Sequence, residues 1–302
     1  MTLRHPQLRG VLAATPTPVL PDYSPDVPQL VLHLRQLLES GCDGINLLGT
    51  TGEANSFSLR ARLSLMNAVK DAGLPMNRMM VGTGVCSLEE TVALTQAAAD
   101  LGFAGALILP PFFYPDIQGS ALLDYIDAVV ERIEPHHTSL YLYHIPQNTG
   151  VPWPVEVVAQ LARKHEGLLR GIKDSSGDIS YSRAIAAANR DIAVFPSSEG
   201  TLFEASTNGF AGCISATTNV TAADSQYAWM HQGSDAAKEA SDRAMAIRAV
   251  LARQALVASV KAALGLFYDE PHWMLTCPPL VARSAGEAEI LRGELRAAGL
   301  SL

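Results

Sequence analysis

Lys173 is the residue with the most chemical content. The chain has five lysines. Lys70, Lys164, Lys238 and Lys261 fall in or beside helical segments with polar neighbours, where a lysine is ordinary solvated surface. Lys173 alone lies within an apolar, strand-like run, Gly171-Ile172-Lys173-Asp174. An ammonium group is rarely buried without a reason, because desolvating a charge is costly. A free lysine is neutral in only about one molecule in 2,500 at pH 7. Burial disfavours the ammonium form and so makes a better nucleophile. Two readings follow from position alone: a Schiff-base lysine, or a structural ion pair with Asp174 or Glu199.

A reversible covalent lysine also needs a group that moves protons. Tyr143, at the end of the apolar run Tyr141-Leu142-Tyr143-His144-Ile145-Pro146, has a phenol suited to that. The alternative is a packed aromatic with a locally satisfied hydroxyl. Tyr141 shares its side-chain direction, since strand side chains alternate with period two, and would sit one layer deeper. A second cluster, Gly49-Thr50-Thr51-Gly52-Glu53, reads as a carboxylate grip. Its glycines permit unusual backbone angles, Thr50 and Thr51 add hydroxyl donors, and a helix follows near Ser56–Ser58, where N–H groups favour anions. A plain turn with threonine caps is the other reading. At 197–199, Ser197, Ser198 and Glu199 read either as hydroxyl binders or as a solvated loop.

These clusters all follow short apolar runs. The strand candidates are Gly10–Val19, Asp43–Thr51, Arg78–Gly84, Gly105–Pro111, Ser139–Pro146, Leu169–Ser176, Ala193–Glu199 and Gly212–Thr218. They are continuously apolar, as strands buried on both faces are. Helical patterns lie between them: Val27–Gly41, Ser58–Ala72, Leu88–Leu101, Pro154–Lys164 and Ile179–Ala188. Ser87 and Glu90 make a capping-box pattern at the third. Eight strands interleaved with helices predict a (β/α)8 TIM barrel, α/β in class, whose site forms at the C-terminal strand ends. An open dinucleotide-binding sheet would carry G-x-G-x-x-G after its first strand. Here that strand ends Thr15-Pro-Thr-Pro18. The chain reads as a barrel core over 1–221 and an Ala-rich helical region over 222–302, packed on the barrel as one unit.

Composition sets the outer bounds. Apolar residues make up 48% of the 302, enough for a full core, and the formal charge is 22 − 30 = −8. An acidic surface argues against nucleic acid, which requires basic stripes. The N-terminus lacks the apolar run of a signal peptide, and no stretch is long and apolar enough to span a bilayer. A soluble, cytoplasmic protein without a membrane partner is expected. Cys42, Cys86, Cys213 and Cys277 are too widely spaced for a metal or disulfide framework and read as reduced structural thiols.

Four ordered motifs together carry a family resemblance: G-T-T-G-E at 49–53, Y-x-x-P at 143–146, G-I-K-D at 171–174 and G-C-I-S at 212–215. The chain resembles the dihydrodipicolinate synthase/N-acetylneuraminate lyase family of class I aldolases. The resemblance implies a Schiff base on Lys173, acid–base catalysis by Tyr143, and a pyruvyl carboxylate held by Gly49, Thr50 and Thr51, with Thr51 also joined to the tyrosine relay. It places the backbone of Ile214 beside the pyruvyl unit. It implies no cofactor and no metal, a small 2-oxo acid as substrate, and a homo-oligomer, tetramer or dimer. Two departures bear on the substrate. Phe113, in Pro111-Phe112-Phe113-Tyr114, stands where the synthases carry a relay tyrosine, and Asn148 stands where they carry a carboxylate-binding arginine. Both argue against 4-hydroxy-tetrahydrodipicolinate synthase. They favour an aldolase or dehydratase acting on a 2-keto-3-deoxy sugar acid or 4-hydroxy-2-oxoglutarate, with Asn148 and Ser198 toward the substrate's tail. His144 is read as packing or as a distal contact. A non-catalytic 2-oxo-acid binder is the reading from another class.

Overall fold

The computed structural model describes residues 7–114, 116–133 and 139–302. Eight strands, β1 Gly10–Ala14, β2 Gly44–Leu47, β3 Met79–Gly82, β4 Gly105–Ile108, β5 Leu140–His144, β6 Leu169–Asp174, β7 Ala193–Pro196 and β8 Gly212–Ser215, form one parallel sheet in the order β7-β6-β5-β4-β3-β2-β1-β8. Leu12 on β1 is in register with Ile214 on β8. The remaining seam, between β7 and β8, is bridged where Ala211 N–H donates to Val194 O at 2.9 Å. The protein is a (β/α)8 barrel with additional C-terminal helices, as its alternating pattern predicts. Each strand is shorter than its apolar run, because the run continues into the loop that carries the polar residues.

The helices are α1 Val27–Glu39, α2 Leu59–Asp71, α3 Leu88–Leu101, α4 Gly119–Val130, the short α5 Pro146–Thr149, α6 Val155–Lys164, α7 Ile179–Ala188, α8 Thr218–Met230, α9 Asp235–Leu251, α10 Leu256–Tyr268 and α11 Ala285–Ala297. Their starts follow local chemistry. Asp26, Ser58 and Ser87 accept from the backbone N–H groups of Gln29, Ala61 and Glu90, caps that contribute about 1 kcal/mol each. Ser87 thus caps α3 as expected, but the reciprocal capping box forms elsewhere, between Ser284 and Glu287 at α11. Position 221, where the sequence reading parts barrel from helical region, lies inside α8, which departs from helical geometry at Thr221.

Two layers of core result from strand alternation. Ile45, Leu47, Val81, Ile108, Leu142, Ile172 and Val194 face outward and pack against the helices. Leu12, Met80, Leu107, Tyr141, Tyr143, Phe195 and Ile214 fill the barrel interior. Small residues make room there: a Cβ on Gly105 or Gly171 would approach the Tyr141 ring to 2.5 and 2.8 Å. Glycine at those two points lets a fully buried tyrosine span the lower barrel.

The C-terminal helices are bound to the barrel by buried ions. Lys261 on α10 is fully buried, not solvated as expected, in a helix whose other residues are almost all apolar. Its ammonium pairs with Glu53 and donates to Thr17 O at 2.8 Å. Glu53 also accepts from Cys277 N–H at 2.6 Å. Glu199, likewise fully buried, pairs with Arg248 on α9 at 3.2 Å and accepts from Thr217 and Thr221. No single helix among the described residues is long and apolar enough to cross a membrane.

Candidate active site

Lys173 is the penultimate residue of β6. Parallel pairing sets it beside Tyr143 on β5 and Phe195 on β7, so all three point into the barrel at its C-terminal end. Lys173 is 3% exposed. Its Nζ lies 4.4 Å from the centroid of the Tyr143 ring, a cation–π contact. Neither carboxylate expected as its ion-pair partner meets this lysine. Asp174 points to the other face of the sheet and accepts from Ser182 Oγ at 2.6 Å and Ser176 N–H at 2.9 Å. Glu199 is taken by Arg248. Among the described residues Lys173 has no ion-pair partner within 4 Å.

The phenol of Tyr143, also 3% exposed, lies 3.1 Å from Thr50 Oγ1. Burial pushes its pKa up. The neighbouring Lys173 charge, with hydrogen bonding from Thr50, Ser175 and Lys173, outweighs burial and holds the phenol below its ordinary value. An acidified phenol beside an amine suits proton exchange between the two. Its backbone is held as well: Trp153 Nε1–H donates to Tyr143 O at 3.2 Å, and Tyr181 Oη–H donates to Trp153 O at 2.6 Å.

The expected link from Thr51 to the tyrosine is made by Thr50 instead. Thr51 is buried, and no hydrogen bond joins it to Tyr143 among the described residues. Consecutive side chains in a tight turn diverge, so only one of the two hydroxyls reaches the phenol. The turn is bounded by left-handed residues that are not glycine, Leu48 at φ 51° and Glu53 at φ 55°. Such strain collects at functional sites. Gly82 allows the turn to seat, since a Cβ there would come within 2.1 Å of Leu48 O. Ala54 N–H donates to Gly49 O and Glu53 N–H to Thr50 O. The N–H groups of Thr50, Thr51 and Gly52 donate to no other described group of the chain. That leaves a run of donors open to an anion.

The other expected residues take varied places. Ile214 faces the barrel interior in the same cluster as Tyr143. Asn148 lies exposed on α5. Ser198 is half-buried; its hydroxyl caps Gly200 N–H at 3.3 Å and contacts Met245 Sδ at 3.4 Å. His144 faces outward, stacks on Tyr181 with ring centroids 4.0 Å apart, and accepts from Trp153 N–H at Nδ1, 3.1 Å. It packs behind the site, and burial lowers its pKa. Phe113 is 73% exposed and packs edge-on against Tyr114, itself 71% exposed.

Two participants escape the sequence reading. Ser175, two residues beyond Lys173 and so on the same side, lies close enough to the phenol to help lower its pKa; the period-two rule was enough to find it. Trp153 had no sequence signal, because its contact with Tyr143 depends on how the β5–α6 loop folds back.

A profile of the Dihydrodipicolinate synthetase family matches residues 7–288. The chain belongs to this family. It is a lyase of the class I, Schiff-base-forming type. It is 33% identical over 287 residues to an uncharacterized DapA-like lyase of Chloroflexus aurantiacus, an alignment covering 94% of this chain and 95% of the relative. It is 27% identical over 207 residues to a 2-dehydro-3-deoxy-phosphogluconate/2-dehydro-3-deoxy-6-phosphogalactonate aldolase of Sulfurisphaera tokodaii, covering 67% of this chain and 68% of that protein. Among solved structures, dihydrodipicolinate synthase of Agrobacterium tumefaciens superposes with a TM-score of 0.89 at 27% identity, covering 97% of this chain and all of that one.

Proposed function

We propose that the protein is an aldolase or dehydratase that binds a 2-oxo acid as a Schiff base on Lys173. The observation that carries this reading is the buried, inward-facing Lys173 with no ion-pair partner among the described residues, 4.4 Å over a Tyr143 ring whose phenol meets Thr50. A structural lysine this deep requires a counter-ion, as Lys261 has in Glu53.

In this reading the unpaired N–H groups and hydroxyls of 50–52 hold the substrate carboxylate and set its C2 carbonyl against the amine. Neutral Lys173 Nζ adds to C2, and Tyr143 delivers a proton to the oxygen. Water departs and an iminium forms. The iminium accepts the electron pair of the C3–C4 bond while the C4 hydroxyl loses its proton, releasing an aldehyde. Alternatively, loss of a C3 proton and of a leaving group completes a dehydration. Tyr143 returns the proton, and hydrolysis frees the product and Lys173. Every step uses side chains of the site and water, with no cofactor.

The substrate is a 2-keto-3-deoxy sugar acid or 4-hydroxy-2-oxoglutarate. Asn148 at the rim supports the sugar acid in particular, because an amide lacks the cation that a second carboxylate needs, and both the synthase's aldehyde substrate and 4-hydroxy-2-oxoglutarate carry one. Ser198 reaches the substrate tail only by giving up its contact with Met245. The exposed Phe113–Tyr114 pair on the loop after β4 supports a homo-oligomer that covers it. Borohydride reduction in the presence of pyruvate, followed by peptide mapping, tests the chemistry. A reduced pyruvyl adduct on Lys173, absent in Lys173→Ala, is expected. An unmodified Lys173 in a folded protein overturns the reading in favour of a non-catalytic binder.

A further inference from the structure

At the opposite end of the barrel from Lys173, four arginines converge on a cleft of about 870 Å³. Arg9 precedes β1, Arg163 lies in the last turn of α6, Arg170 lies on β6 and Arg190 precedes β7. None forms an ion pair and none donates a side-chain hydrogen bond among the described residues, although the chain carries a net charge of −8. The acids that also line the cleft, Glu166 and Asp191, are two against four, and no ion pair at 4 Å or less joins them to these arginines. Two donors of the lining are buried without a partner: Arg170 Nε and Asn189 Nδ2. An unpartnered buried guanidinium N–H is costly, and cationic guanidinium groups left in proximity repel. Neither feature contributes to barrel stability, so a ligand is the physical explanation.

We propose that this cleft binds a small polyanion, a metabolite bearing two or more phosphate or carboxylate groups. Guanidinium forks match the oxygens of such groups two at a time. The volume is in the range of metabolite sites. A protein partner would need an apolar centre, and here the apolar lining is only Ala162, Leu169 and Ile192. The site is independent of the Schiff-base chemistry, since it lies at the N-terminal ends of the strands, while catalytic residues of barrels gather at the C-terminal ends.

The test is calorimetric titration of the full chain with pyrophosphate and, separately, with citrate, at matched ionic strength, first without pyruvate and then with pyruvate saturating. One saturable site of Kd below about 1 mM is expected, weakened about tenfold or more in Arg190→Gln and in Arg9→Gln, as befits loss of a charged hydrogen-bond donor. Arg253→Gln, which breaks a distant surface pair with Glu294, leaves it unchanged. Both tested arginines are exposed, so their variants fold, and both should retain turnover. Binding of either probe alone identifies phosphate or carboxylate as the preferred group and upholds the site. Absence of saturable binding by both probes, equal binding in both arginine variants, or its elimination by pyruvate overturns the proposal.

Discussion

Replacing Lys261 with methionine isolates the buried pair that ties the Gly49–Glu53 turn to α10. Both side chains of the pair have no solvent exposure. Methionine fills similar volume and removes only the charge. Glu53 then keeps a single donor, Cys277 N–H at 2.6 Å, and Thr17 O loses the ammonium. Breaking a buried pair by removing one partner costs about 3–5 kcal/mol. At roughly 2–4 °C per kcal/mol for a chain of this size, the melting midpoint falls by about 10 °C. The double variant Glu53→Gln/Lys261→Met leaves no buried charge and keeps an acceptor for Cys277, so it recovers at least about 2 kcal/mol relative to the sum of the single losses. Urea denaturation of the four proteins of the cycle measures this. Because Glu53 closes the turn that bears Thr50, apparent affinity for pyruvate should fall several-fold in Lys261→Met. Strict additivity in the cycle, or a single-variant loss under about 1 kcal/mol, would refute the claim that this pair holds the turn.

Tyr143→Phe keeps the fold but removes the proton carrier, and turnover should fall by about 10²–10⁴, with adduct formation on Lys173 slowed in stopped-flow trapping. Thr50→Val should raise the spectrophotometric titration midpoint of Tyr143 and slow turnover, whereas Thr51→Val should leave the midpoint in place, since only Thr50 meets the phenol. His33 on α1 lies buried between Tyr268 Oη and Asn219 Oδ1, and burial pushes its pKa down to about 4, against a partial rise from Asn219. An unfolded histidine takes up a proton near pH 6.5 while the folded one stays neutral, so stability is present above that pH and is lost as pH falls from about 6.5 toward 4. The loss from this residue is about 3 kcal/mol, and His33→Gln should flatten the curve of denaturation midpoint against pH over that interval.

Much of the barrel was legible because strand burial on both faces leaves a one-dimensional trace. Runs such as Gly105–Ile108 are apolar at every position, and the lysine inside Leu169–Asp174 stands out against that background. Tyr143 and the turn at 49–53 were found in the same way, since polar residues at strand ends have few other reasons to cluster. Lys261 shows where this logic ends. It groups with the other helical lysines as surface although its run, Leu256–Tyr268, is apolar at almost every other position, and only the packing of α10 on the turn, across more than two hundred residues, sets it against Glu53. Glu199 likewise looked like rim polarity until α9 brought Arg248 to it. The choice of Thr50 over Thr51 also depended on tertiary structure, because sequence places both hydroxyls in the turn but only the backbone path aims one at the phenol. Local patterns determine which residues are unusual, since burial and period are short-range properties. Which charges meet is decided by loops and helices that return from far along the chain, and those contacts leave no spacing to read.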